Sequence, residues 1–296
     1  AAPTGRRVPR TGGSWSVPDH GINQLVGTVA AQGDFSKAAV QATMSSPAKV
    51  TLQGQVTDIF NELHWQAAAE SGHFRLSDLK INVPVDGTLR IVEASGTVKS
   101  YRGTVAAEIH HEGYPPVQAE AKVAADNYSG LKIDYLTVRY AASELTLRGD
   151  MRWKGGFSWQ AELAAKELDP ALAAVDWPGK ISGKVRSSGA LAAGRQVLEL
   201  AIDKVQGELR GQPFSLGGSV SLADKKLTID ELVLDSGLAK ARISGTADAA
   251  KQISLSVQAE AADLAAFTPE AGGSLQLEGS AAGPAENAAV TLHLNG

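Results

Sequence analysis

Apolar residues recur at every second position along most of this chain, and that spacing limits what it can fold into. In Leu145-Thr146-Leu147-Arg148-Gly149 they alternate, as they do in 197–202 (VLELAI), 227–234 (LTIDELVL) and 274–279 (SLQLEG). A period of two puts apolar side chains on one face of a strand and polar ones on the other. The stretches are bounded by Gly, Asp, Asn, Ser and Pro, which supply turn geometry. Helical spacing is arguable only over 38–44 and 169–175, and both are short. The expected fold class is all-β.

The strands also repeat. Gly54 in 51–56 (TLQGQV), Gly149 in 146–151 (TLRGDM) and Gly245 in 242–247 (RISGTA) are 95 and 96 residues apart. WQAAAE (65–70), WQAELA (159–164) and VQAEAA (257–262) keep step with them. So do LSDL (76–79), LDPAL (168–172) and ADLA (262–265), and the strand openings at 87–89, 179–183 and 272–279. KIDYL (132–136) matches TIDEL (228–232) at a spacing of 96. These landmarks predict three imperfect copies of a unit of about 95 residues, each holding several strands. The architecture they predict is an elongated, curled antiparallel or mixed sheet that forms an open gutter.

Composition fits a thin core. Hydrophobic residues make up 43%, enough for a folded chain, but Phe (6), Trp (5) and Met (2) are scarce and Ala is abundant. Burial energy scales with apolar area, so small side chains favour an extended layer over a thick globule. The net charge of −4, with acids and bases intermixed, leaves no electrostatic footprint for nucleic acid. One basic cluster, Arg6, Arg7 and Arg10 beside Gly12 and Gly13, reads as a flexible tail. Residues 1–48 are therefore taken as a leading segment and 49–296 as one continuous repetitive β-domain.

With no cysteine, disulfides, thiol catalysis and thiolate metal sites are excluded. No run of 18 apolar residues and no apolar signal core occurs, so any membrane anchor is expected outside this sequence.

Tempting motifs dissolve on inspection. The PGKIS of 178–182 suggests a phosphate loop, which requires G-x-x-x-x-G-K-[ST]. Ala174 stands where the first Gly belongs and Ile181 where the hydroxyl belongs. Trp177-Pro178-Gly179 instead reads as a turn feeding Ile181 and Val185 into a strand. The histidines His20, His64, His73, His110, His111 and His293 show no zinc spacing. His110-His111-Glu112 comes closest, but neighbours in a strand point to opposite faces, and a surface loop is the expectation. Asp230-Glu231 is assigned to a turn, where Asp bonds its own backbone. Arg148-Gly149-Asp150 coincides with a repeat landmark rather than an adhesion motif, and Asn127-Tyr128-Ser129 fits a glycosylation sequon that is common by chance. No G-x-S-x-G or other nucleophile signature occurs. No catalytic, cofactor or metal residue is assigned, and a non-enzymatic role is expected.

The stretches 168–183 (LDPALAAVDWPGKISG), 204–214 (KVQGELRGQPF), 228–237 (TIDELVLDSG) and 261–267 (AADLAAF) resemble the TamB family, within the wider AsmA-like group. The resemblance covers about residues 50 to 296. It implies a long β-sheet curled into a gutter with an apolar inner face, crossing the periplasm of Gram-negative-type bacteria from an inner-membrane anchor. It also implies an outer-membrane barrel partner of the TamA/BamA type, and a part in phospholipid movement and outer-membrane protein assembly. This chain would be an interior periplasmic segment.

Acyl chains need only dry walls, at about 0.8 kcal/mol per buried CH₂. With strands about 4.8 Å apart, roughly 20 to 25 of them would make a trough ~100 Å long. The candidate lipid-groove residues are Leu145, Leu147, Leu198, Leu200, Ile202, Leu227, Ile229, Leu275 and Leu277. The competing fold is a sandwich in which these residues pack against a second sheet. The competing roles are a chaperone-like scaffold that pairs its strand edges with client strands, and a sugar-binding solenoid, disfavoured by an aromatic content of 5%.

Overall fold

A computed structural model describes residues 11–17, 22–34, 36–46, 49–72, 74–75, 86–111, 113–172, 177–192, 195–263 and 272–296. The chain divides into two compact units, Ala1–Ala141 and Ala142–Gly296.

The first unit holds β1 (Thr11–Val17), β2 (Ile22–Gly33), β3 (Lys37–Ser46), β4 (Val50–Thr57), β5 (His64–Ser71), β6 (Phe74–Arg75), β7 (Asp86–Gly96), β8 (Ser100–His110), β9 (Val117–Asp126) and β10 (Gly130–Tyr140). Each pairs antiparallel with its successor, except that β5 and the two-residue β6 both pair with β7. Three of these strands lie within residues 1–48.

The second unit is a plain meander of β11 (Ser143–Arg152), β12 (Phe157–Leu168), β13 (Gly179–Ala192), β14 (Arg195–Leu209), β15 (Gln212–Ala223), β16 (Lys226–Asp235), β17 (Ala239–Ala247), β18 (Gln252–Ala261), β19 (Leu275–Pro284) and β20 (Ala289–Asn295). Every strand pairs antiparallel with the next. Two short 3-10 turns, Pro170–Leu172 and Ala285–Asn287, are the only helical elements among the described residues.

The all-β expectation holds, and every described pairing is antiparallel. The sheets are open and uncurled, where a curled gutter was expected, and the parallel component allowed for does not occur among the described pairings. Residues 38–44 lie wholly within β3, because Ala38, Val40, Ala42 and Met44 alternate as well as they wind. Of 169–175, the turn at 170–172 is 3-10 and the remainder falls outside the described residues.

Tight hairpins make the meander. Arg210-Gly211 (φ 52° and 76°) and Asp224-Lys225 (φ 49° and 64°) form two-residue loops with both central residues left-handed, the twist that matches paired strands.

Asp230-Glu231 corrects the sequence reading. The pair lies inside β16, not in a turn: Val220 faces Ile229 and Ser219 faces Glu231, so Asp230 is the extra residue of a β-bulge. The Ser219 hydroxyl donates to Asp230 Oδ2 at 2.8 Å. The matching landmark behaves alike, since Val123 faces Ile133 and Lys122 faces Tyr135, leaving Asp134 extra. An apolar step of three, from Ile229 to Leu232 or Ile133 to Leu136, needs such an insertion to stay on one face.

Among the described residues neither unit has a second layer. Ala125 is the one buried apolar residue among those described, and no large side chain is fully buried. Extended contacts between strands run only between hydrogen-bonded neighbours. The chain exposes 19647 Å², against about 12,000 Å² for a compact monomer of this mass. Paired residues on adjacent strands cover one another's flanks, and the outward side of the apolar face stays open.

Candidate functional site

The site is built from strand register. Residues paired across an antiparallel ladder share a face, so the pairings trace rows across the second unit. One row runs Leu147, Leu163, Val185, Ile202, Gly218, Leu232, Ile243, Val257, Gly279, Leu292. A second, one step along the strands, contains Leu200, Val220, Ile229 and Leu255. A third contains Trp159, Gly189, Leu198, Leu222 and Leu227. The fourth contains Leu145, Ala165, Leu216, Leu234, Ala259 and Leu277. These four rows contain no charged residue.

All nine candidate residues lie on this face. Leu145 and Leu147 sit on β11, Leu198, Leu200 and Ile202 on β14, Leu227 and Ile229 on β16, and Leu275 and Leu277 on β19. Leu198 and Leu227 are each 37% exposed, and the other seven are half-buried. Leu163, Val185, Val220, Leu222, Leu232, Ile243 and Val257 complete the face and were not among the candidates. Their own alternation was the signal available.

Trp159 has a built position. A Cβ added to Gly189 would stand 2.2 Å from the indole, so the missing side chain is what lets the ring lie across β13. The indole N–H donates to Ser187 Oγ at 3.1 Å, and Phe157 stacks tilted with its centroid 5.6 Å away. In the first unit Trp65 likewise faces Gly96 and donates to the Thr97 carbonyl at 3.1 Å. Tryptophans 94 positions apart in the sequence thus occupy matching positions, each opposite a glycine on the next strand of its sheet.

The opposite face is polar. Arg186 donates twice to Asp203, at 2.7 and 2.8 Å, and this holds the Asp203 carboxyl below its ordinary range. Lys184 pairs with Glu162 and Arg242 with Glu231, each at 3.6 Å. A shallow, solvent-open depression between Arg148, Glu162, Arg186 and Glu199 lies on this side, away from the apolar rows. In the first unit the Glu120 carboxylate accepts the Tyr135 hydroxyl and raises its pKa.

Other sequence features fall as follows. Trp177-Pro178 leads into β13, which carries Ile181 and Val185; Ala174 lies outside the described residues. Arg148-Gly149-Asp150 sits inside β11, and Asn127-Tyr128-Ser129 forms the turn between β9 and β10. His110 ends β8 with Nε2 2.8 Å from Glu108, and His111 makes an edge contact with Tyr114. Glu112, His20 and His73 lie outside the described residues. Among the described residues no group of three or more His, Cys, Asp or Glu could hold a metal, and no helix is long and apolar enough to cross a membrane.

Comparisons with known proteins agree on a family. The model described as TamB, N-terminal domain, matches residues 18–296. The translocation and assembly module subunit TamB of Haemophilus influenzae is 26% identical over 190 residues, 62% of this chain. That alignment spans 14% of the relative's length, so the chain corresponds to a small part of it. No solved structure matches. A match over nearly the whole chain places this protein in the TamB family.

Proposed function

We propose that this chain is a non-enzymatic segment of a periplasmic bridge whose apolar face carries phospholipid acyl chains between the inner and outer membranes. The observation behind this reading is the charge-free face of the second unit, four rows deep and uncovered within its unit. Exposed apolar patches on soluble monomers rarely exceed a few hundred Å² and, when larger, mark interaction sites. Hydrocarbon suits this face because it asks for area rather than for hydrogen bonds, and no row offers a charge. The family name fits a translocation and assembly module, with an outer-membrane barrel of the TamA/BamA type as partner and an anchor in the inner membrane outside this chain.

Mass spectrometry of the purified 296-residue chain is expected to find co-bound phospholipid or detergent. Leu200→Asp and Leu277→Asp should reduce the bound lipid several-fold while leaving the β circular dichroism unchanged. A lipid-free chain, or loss of folding in both variants, overturns the reading.

A further inference from the structure

The two ends of the strands in the second unit differ in charge. At one end lie the hairpins β11–β12, β13–β14, β15–β16, β17–β18 and β19–β20. Their described loop and strand-terminal residues include Arg152, Lys154, Arg195, Lys225, Lys226 and Lys251, against Asp224, Asp248 and Glu286. The acids are already engaged: Asp224 pairs with Arg195 at 3.7 Å, Glu286 pairs with Lys251, and Asp248 accepts the backbone N–H groups of Ala250 and Gln252. Lys154, Lys225 and Lys226 have no ion-pair partner among the described residues. The opposite end carries Asp169, Asp235 and Asp263 against Lys240, which pairs with Asp235 at 3.6 Å, and Arg210, whose guanidinium lies 5.6 Å over the Trp177 ring.

Successive hairpins at one end are two strands apart, so the cations recur at about 10 Å intervals. They adjoin an open part of the apolar face, where Phe157, Leu191 and Leu198 are 40%, 44% and 37% exposed. Lys225 also holds a left-handed backbone at φ 64°, a conformation that disfavours a long side chain.

The geometry points to oriented lipids: anionic phosphate head groups held along this rim, one at Lys154 and one two hairpins away at Lys225 and Lys226, with their acyl chains running along the strands. The lengths agree. Four rows two residues apart span about 20 Å, against about 15 Å for the hydrocarbon of one leaflet. A head group at the other end would meet the carboxylates of Asp169 and Asp263 beside the Asp235–Lys240 pair. This inference rests on the lipid reading above and adds the head-group charge and the direction of the bound molecule.

Binding of phosphatidylglycerol, phosphatidylcholine and diacylglycerol with identical acyl chains to the 296-residue chain tests it. Phosphatidylglycerol should bind most tightly, and its advantage should fall by roughly fivefold for each lysine reversed in K154E, K225E and K226E. Diacylglycerol binding should not change, which also shows that the variants remain folded. Soluble glycerol phosphate should compete weakly, because it lacks the chains. A photoreactive head group should label the hairpins at 153–156 and 224–226, and a photoreactive chain terminus should label residues toward the far rim. Equal binding of all three lipids, unaltered by the reversals, overturns the orientation and leaves the lipid reading standing. Head-group labelling of the acidic rim overturns it too. Binding of none of the lipids removes both.

Discussion

At the residue scale, two glycines in this sheet do different work. A Cβ on Gly218 would stand 1.8 Å from the Glu231 carbonyl oxygen, and its φ is +139°. One on Gly211, at φ +76°, would meet nothing within 4 Å. Gly218→Ala should therefore cost about 2–4 kcal/mol in urea denaturation, and Gly211→Ala only about 1 kcal/mol. The Arg186–Asp203 pair adds a pH dependence. Because Asp203 ionises more readily when folded, its contribution is fully present above the ordinary aspartate pKa and is lost as pH falls through the lower folded value. Stability measured against pH should lose that acid-side component in Arg186→Gln. The effect should be small, because both groups face solvent. Sequence showed that Asp203 and Arg186 exist. That they meet depends on the β13–β14 register, which local spacing does not encode.

At the element scale, the bulge at Asp230 explains why imperfect alternation still gives one apolar face. Deleting Asp230 leaves Leu227, Ile229, Leu232 and Leu234 in strict alternation, so the strand should pair as a regular ladder and retain most of its stability. Deleting Glu199 from the regularly paired stretch 197–202 of β14 puts either Leu198 or Leu200 and Ile202 on the polar face. That should cost about 2–4 kcal/mol at the usual burial energies, read as a lower urea midpoint or faster proteolysis. Strand positions were legible from the period of two. The bulge was not, because an Asp-Glu pair serves equally well in a turn, and only pairing to Ser219 and Val220 decides between them. The period of about 95 residues remains a reading of the sequence. Its landmark glycines fall in β4, β11 and β17, seven and then six strands apart.

At the scale of each whole unit, the exposed apolar face is the property that needs an explanation, and its occupant is the main prediction. Delipidated protein should bind a hydrophobic dye strongly, and added phospholipid should displace the dye. Dye binding no stronger than that of a compact protein of equal mass would show the face to be covered in solution. The sequence by itself determined the strands, their polar and apolar sides, the candidates from Leu145 to Leu277 and the absence of recognisable catalytic motifs. These follow from local periodicity, which any short stretch of chain carries. Only the tertiary structure decided that no second sheet covers the apolar side within a unit, that the sheets stay open, and that cations gather along one row of hairpins. Whether a greasy face meets backbone or open space depends on pairings between distant residues, and alternation reads the same in a sandwich as in a single layer.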